Sequence, residues 1–213
     1  MLLKAILNAP FSKVRLNDLI AESVSGNWGE DEDAADKNLI SCLTIRATEF
    51  DNKYNLKLDN NRVKYRKFKP VIYEKIRLSQ NDILIEKSGG SGAQPVGRVA
   101  IIEQDMMGDK ALAYSNFIHK IVVKETEAYP QYVFEYLRLM HNIRITEVMQ
   151  TQTNGIRNLI MDEYFNQMII LPDKNEQIRI TNEVKEKREQ ALNLEKQGYQ
   201  DVENAKSKLK KFC

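Results

Sequence analysis

With 213 residues, 42% hydrophobic and 29% charged, the chain is long enough for one sizeable domain and an extension. A net charge of +2 excludes attraction of a polyanion by overall charge, so any such partner must be met by local patches. No apolar stretch approaches the roughly 20 residues of a bilayer span, Met1–Pro10 carries no small-residue cleavage site, and two cysteines with two histidines favour neither a disulfide framework nor a conventional zinc cluster.

In chain order, the first marked feature is acidic. Glu30, Asp31, Glu32, Asp33 and Asp36 crowd one short segment. A β-type run, Leu39–Ile45, follows. Arg62, Lys64, Arg66, Lys67 and Lys69 then interleave with Tyr65 and Phe68. Such a stretch can line a phosphate backbone by displacing counterions, or it can be a strand with one solvated charged face. Further β-type runs are Asp82–Glu86, Val96–Ile102 and Phe117–Val123, rich in Ile and Val. Pro130, with Val133, Leu137, Met140, Arg144 and Val148 behind it, spaces a mostly apolar stripe for a core-facing helix. Strands mixed irregularly with helices predict an α+β domain with a twisted β core over residues 1–172.

Residues 173–213 read differently. From Asn175 to Phe212 there is no proline, one glycine and much Glu, Lys and Gln. Val184, Ala191, Gly198, Ala205 and Phe212 recur at sevens, with Ile180 and Leu194 between them; Val202 and Leu209 carry the seam one position further round. This spacing predicts a long helix with an imperfect coiled-coil stripe that needs a partner helix.

Catalytic patterns fail on chemistry. Gly92 and Gly97 have the spacing of a phosphate loop, but Arg98-Val99 stands where Lys-Ser/Thr is required. Pro172-Asp173 with Glu183-Val184-Lys185 mimics an acidic nuclease, yet those carboxylates fall in the charged helix and not in a rigid core. There is no G-x-S-x-G, no H-E-x-x-H and no glycine-rich cofactor loop after a strand. No catalytic residue, metal or cofactor is expected. The alternatives are a small DNA-modifying nuclease with an unrecognised acidic site, or a coiled-coil adaptor that ignores DNA.

Two blocks resemble a known family. Asn81-Asp82-Ile83-Leu84-Ile85-Glu86-Lys87-Ser88-Gly89-Gly90-Ser91, continuing through Pro95-Val96-Gly97-Arg98-Val99-Ala100-Ile101-Ile102, is similar to the strand–glycine loop–strand core of target-recognition domains in type I restriction–modification specificity (S) subunits. Asn154-Gly155-Ile156-Arg157-Asn158-Leu159, then Ile169-Ile170-Leu171-Pro172 and Glu176-Gln177-Ile178-Arg179-Ile180, resembles that family's junction between recognition domain and conserved helix. Val14–Ile20 and Gly26-Asn27-Trp28-Gly29 are similar to its domain start. Asp173-Lys174 departs from the second proline and apolar residue usual there, which puts the stiffness of the linker in question.

The resemblance implies a non-catalytic, cytoplasmic DNA-recognition subunit in half-size form, pairing as a homodimer through its helix. Its other partners would be double-stranded DNA, the S-adenosylmethionine-binding methyltransferase (M) subunit and, through it, the ATP-driven restriction (R) subunit. Neither cofactor would bind this chain. Glycines 89, 90 and 92 suit either a structural corner or, with Lys87 and Ser88, a phosphate contact. Arg98 then lies on a strand surface or touches DNA. Thr151, Gln152, Asn154, Arg157 and Asn158 form a polar cluster suited to base edges, or an ordinary helix-to-loop connection. Trp28 either packs or wedges against DNA.

Overall fold

The computed structural model describes residues 8–59, 62–90, 94–108, 110–153 and 155–209. Among them the strands are β1 (Ser12–Arg15), β2 (Ile20–Ser25), β3 (Ile40–Ile45), β4 (Lys64–Phe68), β5 (Ile83–Glu86) and β6 (Ser88–Gly89). They continue as β7 (Val99–Ile101), β8 (Leu112–Tyr114), β9 (Ile118–Val123), β10 (Gln150–Thr153), β11 (Ile156–Leu159) and β12 (Met168–Leu171). The helices are α1 (Pro70–Ile76), α2 (Pro130–Asn142), α3 (Met161–Asn166) and α4 (Lys174–Leu209). The α+β class expected from the sequence is the class observed.

The centre is an antiparallel sheet in the order β2-β9-β5-β7. Both of its faces are covered, which explains why Ile83-Leu84-Ile85 is a continuous apolar run and not an alternating one. Ile83 and Ile85 point into one core with Val99, Ile121, Val133 and Leu137, so α2 covers that face. Leu84, Ala100 and Ile118 point the other way, onto Cys42, Leu43, Ile45 and Phe68. The last four belong to a second sheet, β4-β3-β8, in which β3 and β8 are parallel. Each of these fully buried aliphatic side chains contributes about 1.5–3 kcal/mol relative to exposure.

Helix α2 begins with Pro130 at its first turn and buries Val133, Leu137 and Met140 as the stripe requires. It ends earlier than the stripe. Arg144 adopts a left-handed conformation (φ 63°), which breaks the α-helical hydrogen-bond ladder. A 3-10 turn over Ile145–Met149 follows, leaving Val148 79% exposed.

β1 pairs with β12, Ser12 opposite Leu171, so the two ends of the globular part are stitched beside the root of α4. There the Asp173 carboxylate accepts the amide of Glu176 (3.1 Å) and its carbonyl accepts that of Gln177 (3.0 Å). Asp173 thus caps the helix, so the Asp173-Lys174 junction, whose stiffness the sequence put in question, is held by hydrogen bonds. Gln177, 1% exposed, accepts the Tyr129 amide and donates to the Pro172 carbonyl, both at 2.8 Å, binding the helix root to the start of α2. Beyond the Arg188–Glu135 ion pair (2.6 Å), every described residue of α4 from Glu189 to Leu209 is exposed. At 1.5 Å per residue the 36 residues of α4 extend about 54 Å, more than this domain can cover.

Candidate nucleic-acid interface

The basic segment is a strand, and much of it is spoken for. β4 pairs with β3, and the acidic segment folds back across it: Glu30 and Lys67 exchange both backbone hydrogen bonds, at 2.8 and 3.0 Å. Arg66 donates to the Trp28 and Gly29 carbonyls (2.9 and 3.2 Å), pairs with Asp31, and lies 4.8 Å from the Trp28 ring centroid. Lys67 donates to the Ala34 carbonyl at 2.8 Å. Arg66 and Lys67 therefore spend much of their hydrogen-bonding capacity on the protein's own surface. Opposite charges brought together partly offset one another, and three of the five guanidinium N–H donors of Arg66 are used within the protein. Lys64 is exposed, and Arg62, also exposed, accepts Arg46 through its carbonyl. Trp28 remains 46% exposed, held by Arg66 and not packed in the core.

The chain turns sharply at the described start of the glycine loop. Gly89 and Gly90 have φ of +122° and +62°, conformations that glycine adopts without the Cβ penalty; Gly92 and Asn154 lie outside the described residues. Arg98 is not on a strand surface; it stands in the wall of a cleft described below. It is buried, its guanidinium contacts Glu86 twice at 2.8 Å, and it donates to the carbonyls of Phe50 (2.8 Å) and Ala47 (3.0 Å). This ion pair fastens the segment around residues 47–50 to the end of β5. Arg98 is a structural residue, and its expected surface position is corrected accordingly.

The two sequence blocks meet in the small sheet β10-β11-β6. Thr151–Asn158 is a β-hairpin, not a helix-to-loop connection. Arg157 sits opposite both Gln152 and Gly89; Asn158 sits opposite both Thr151 and Ser88. Cross-strand partners share a face, so Gln152 and Arg157 lie together on one side. On the other, Ser88 donates to the Asn158 side chain at 2.8 Å. Thr151 and Gln152 are exposed and Arg157 is half-buried. Lys87 stands beside this sheet with its ammonium 2.6 Å from Ser25 Oγ, and burial lowers its pKa. Burial first, and the charge of Lys87 second, push His119 down to about 4, so it is neutral at physiological pH; it contacts Ser23 Oγ at 2.7 Å.

Sequence reasoning missed one feature. A cleft of about 930 Å³ opens between the 47–57 segment and the glycine corner, with Lys53, Lys57, Gln94 and Phe117 among its lining. Lys53 and Lys57 are isolated cations in the sequence with no motif around them, so nothing there marked them. Among the described residues no three histidine, cysteine or acidic side chains gather as a metal site, and no helix is long and apolar enough to cross a membrane.

Solved structures share this architecture. The HsdS subunit from Thermoanaerobacter tengcongensis matches 88% of the chain and 44% of its own length, with a TM-score of 0.60 at 14% identity. The type I restriction–modification S subunit from M. genitalium matches 88% of the chain and 41% of its own, with a TM-score of 0.53 at 19% identity. The chain has the S-subunit fold. A third structure, of a type I restriction–modification system solved to define its assembly and conformational transition, matches 87% of the chain and 40% of its own length (TM-score 0.58, 14% identity). The chain thus spans less than half the length of each of these three structures. No family model and no curated protein sequence matches the chain. The S-subunit fold accounts for the order of the parts: a globular α+β body, a stitched pair of ends, and a long helix leaving from the stitch.

Proposed function

We propose that the chain is the sequence-reading subunit of a type I restriction–modification system, that it does no chemistry itself, and that it directs methyltransferase and restriction subunits to a two-part DNA target in the cytoplasm. The observation that carries the reading is the union of the S-subunit fold with an exposed polar hairpin on which Thr151, Gln152 and Arg157 stand beside Ser88 and Asn158. Side chains of these types match the donor and acceptor pattern of base edges in a groove. Lys87 supplies a cation beside that sheet.

The second half of the target is read, in this proposal, by a second copy of the chain. Leu194, Tyr199, Val202 and Leu209 are more than half exposed on α4, an apolar seam that water disfavours by about 25 cal/mol per Å². An antiparallel pairing that sets Ala191 opposite Gly198 also sets Val184 opposite Ala205 and Ile180 opposite Leu209. Small residues then meet at the middle and apolar ones toward both ends. Identical subunits most often close with two-fold symmetry, so the two half-sites are inverted copies.

The test is co-expression with a type I methyltransferase subunit from the same genome, mapping of methylated adenines, and light scattering on the assembled complex. The expected result is a split motif with inverted halves and two copies of this chain per complex. A methylation pattern that is unchanged when this chain is deleted refutes the proposal. DNA cleavage or methylation by the isolated chain would favour the nuclease alternative.

A further inference from the structure

We propose that the cleft between the 47–57 segment and the glycine corner is a phosphate-binding subsite for one strand of duplex DNA, with Lys53 and Lys57 as its cations, and that Glu195 on α4 competes with the DNA for Lys53. The inference rests on the DNA-reading role proposed above and adds to it a place and a competitor.

The cleft is built, not incidental. Its lysine-bearing wall is held from three sides. Arg98 clamps the carbonyls of Ala47 and Phe50. The Asp51 carboxylate accepts the amides of Lys53 and Asn55, at 2.8 and 2.9 Å. Tyr54 is buried in a left-handed conformation (φ 66°), its hydroxyl 2.6 Å from His141 Nδ1 and 2.7 Å from Asn142 Oδ1. A bulky residue in that conformation is strained, and such strain persists where the surroundings over-determine it, often at ligand sites. The effect is to leave Lys53 and Lys57, on either side of the buried Tyr54, exposed at the rim.

The facing wall connects the cleft to the polar hairpin. A Cβ built on Gly89 points toward Glu86 Oε1 (3.5 Å) and the Ala47 Cβ (3.9 Å), both in the cleft lining. Arg157 is the cross-strand partner of Gly89, so Arg157 and Gln152 occupy the face of the small sheet that turns this way. The two carboxylates in the lining are already engaged: Glu86 is 1% exposed and paired with Arg98, and Asp51 caps its own loop with the Lys57 ammonium 4.0 Å away, so a phosphate shares Lys57 with Asp51 as it shares Lys53 with Glu195. Phe117, 39% exposed, offers an apolar surface to a sugar or base.

Lys53 also touches the assembly helix, 2.8 Å from the Glu195 carboxylate. A phosphate arriving at the cleft takes the same ammonium, so DNA and Glu195 exclude one another there. Both groups are well exposed, and the competition is correspondingly modest.

The experiment uses the complex of this chain with its methyltransferase subunit, and fluorescence anisotropy over about 50–200 mM salt. The probes are a duplex carrying the motif that the complex methylates and a scrambled duplex of equal length. Lys53→Gln and Lys57→Gln are each expected to flatten the log–log salt slope by about 0.9 and to weaken both duplexes alike. Glu195→Gln is expected to tighten binding about two- to fivefold, and to do nothing once Lys53 is Gln. Affinity and slope unchanged in all three variants, while the wild type reads its motif normally, overturn the cleft subsite and leave the DNA-reading role standing. A wild-type complex that binds neither duplex and marks no motif overturns that role, and the cleft falls with it.

Discussion

Replacing Arg98 with Met tests the claim that this residue is structural. The change keeps an apolar chain of similar length and removes four donor contacts, two to Glu86 and one each to the carbonyls of Phe50 and Ala47. Glu86, 1% exposed, is left as a buried carboxylate without its cation. Breaking a buried pair from one side costs about 3–5 kcal/mol, because the remaining charge has neither partner nor water. For a chain of this size that corresponds to a loss of roughly 6 to 20 °C in Tm. Urea unfolding followed by far-ultraviolet circular dichroism measures the loss directly. The double variant Arg98→Met, Glu86→Gln removes the stranded charge and is expected to recover a clear part of it. A single variant within about 1 kcal/mol of wild type, or a double variant no more stable than the single, refutes the reasoning.

Other consequences can be checked independently. Arg66→Ala is expected to cost about 1 kcal/mol, to speed proteolytic nicking within residues 30–36, and to leave the salt slope of DNA binding unchanged, since its partners are Trp28, Gly29 and Asp31; a flattened slope would return it to the DNA. His119 is held near 4 in the folded state against 6.5 ordinarily, so its contribution to stability is complete above pH 6.5 and is lost as pH falls toward 4. His119→Gln is expected to shallow that acid limb in pH-dependent melting; an identical limb would show that His119 is not its source. Gly26→Ala is expected to destabilise by about 2–3 kcal/mol in denaturant titration, because the new Cβ would lie 2.1 Å from the Ser115 carbonyl oxygen and 2.5 Å from that of Tyr114. Wild-type stability there would show that the turn after β2 yields easily.

Features whose cause is local or periodic can be read directly from the order of residues. Ile83-Leu84-Ile85 reads as a buried strand because both of its faces need apolar side chains, and the heptad-like seam, free of proline, reads as a long helix because its spacing repeats over many turns. Val133, Leu137 and Met140 marked the core face of α2 for the same reason. Pairing of distant segments emerges with the fold. The Arg62–Lys69 run looks like a phosphate track until the acidic segment is seen folded over it, and that fold-back rests on contacts such as Arg66 to Asp31, separated by 35 positions. Arg98 looked like a surface or DNA-facing cation because one-dimensional patterning does not show that Glu86, Ala47 and Phe50 converge on it. Lys53 and Lys57 went unnoticed because a cleft belongs to no segment; it exists where separate segments stop short of one another. Local propensity and periodicity act over a few residues, whereas burial, charge pairing and clefts depend on which segments the folded chain brings together, and that is a property of the whole packing.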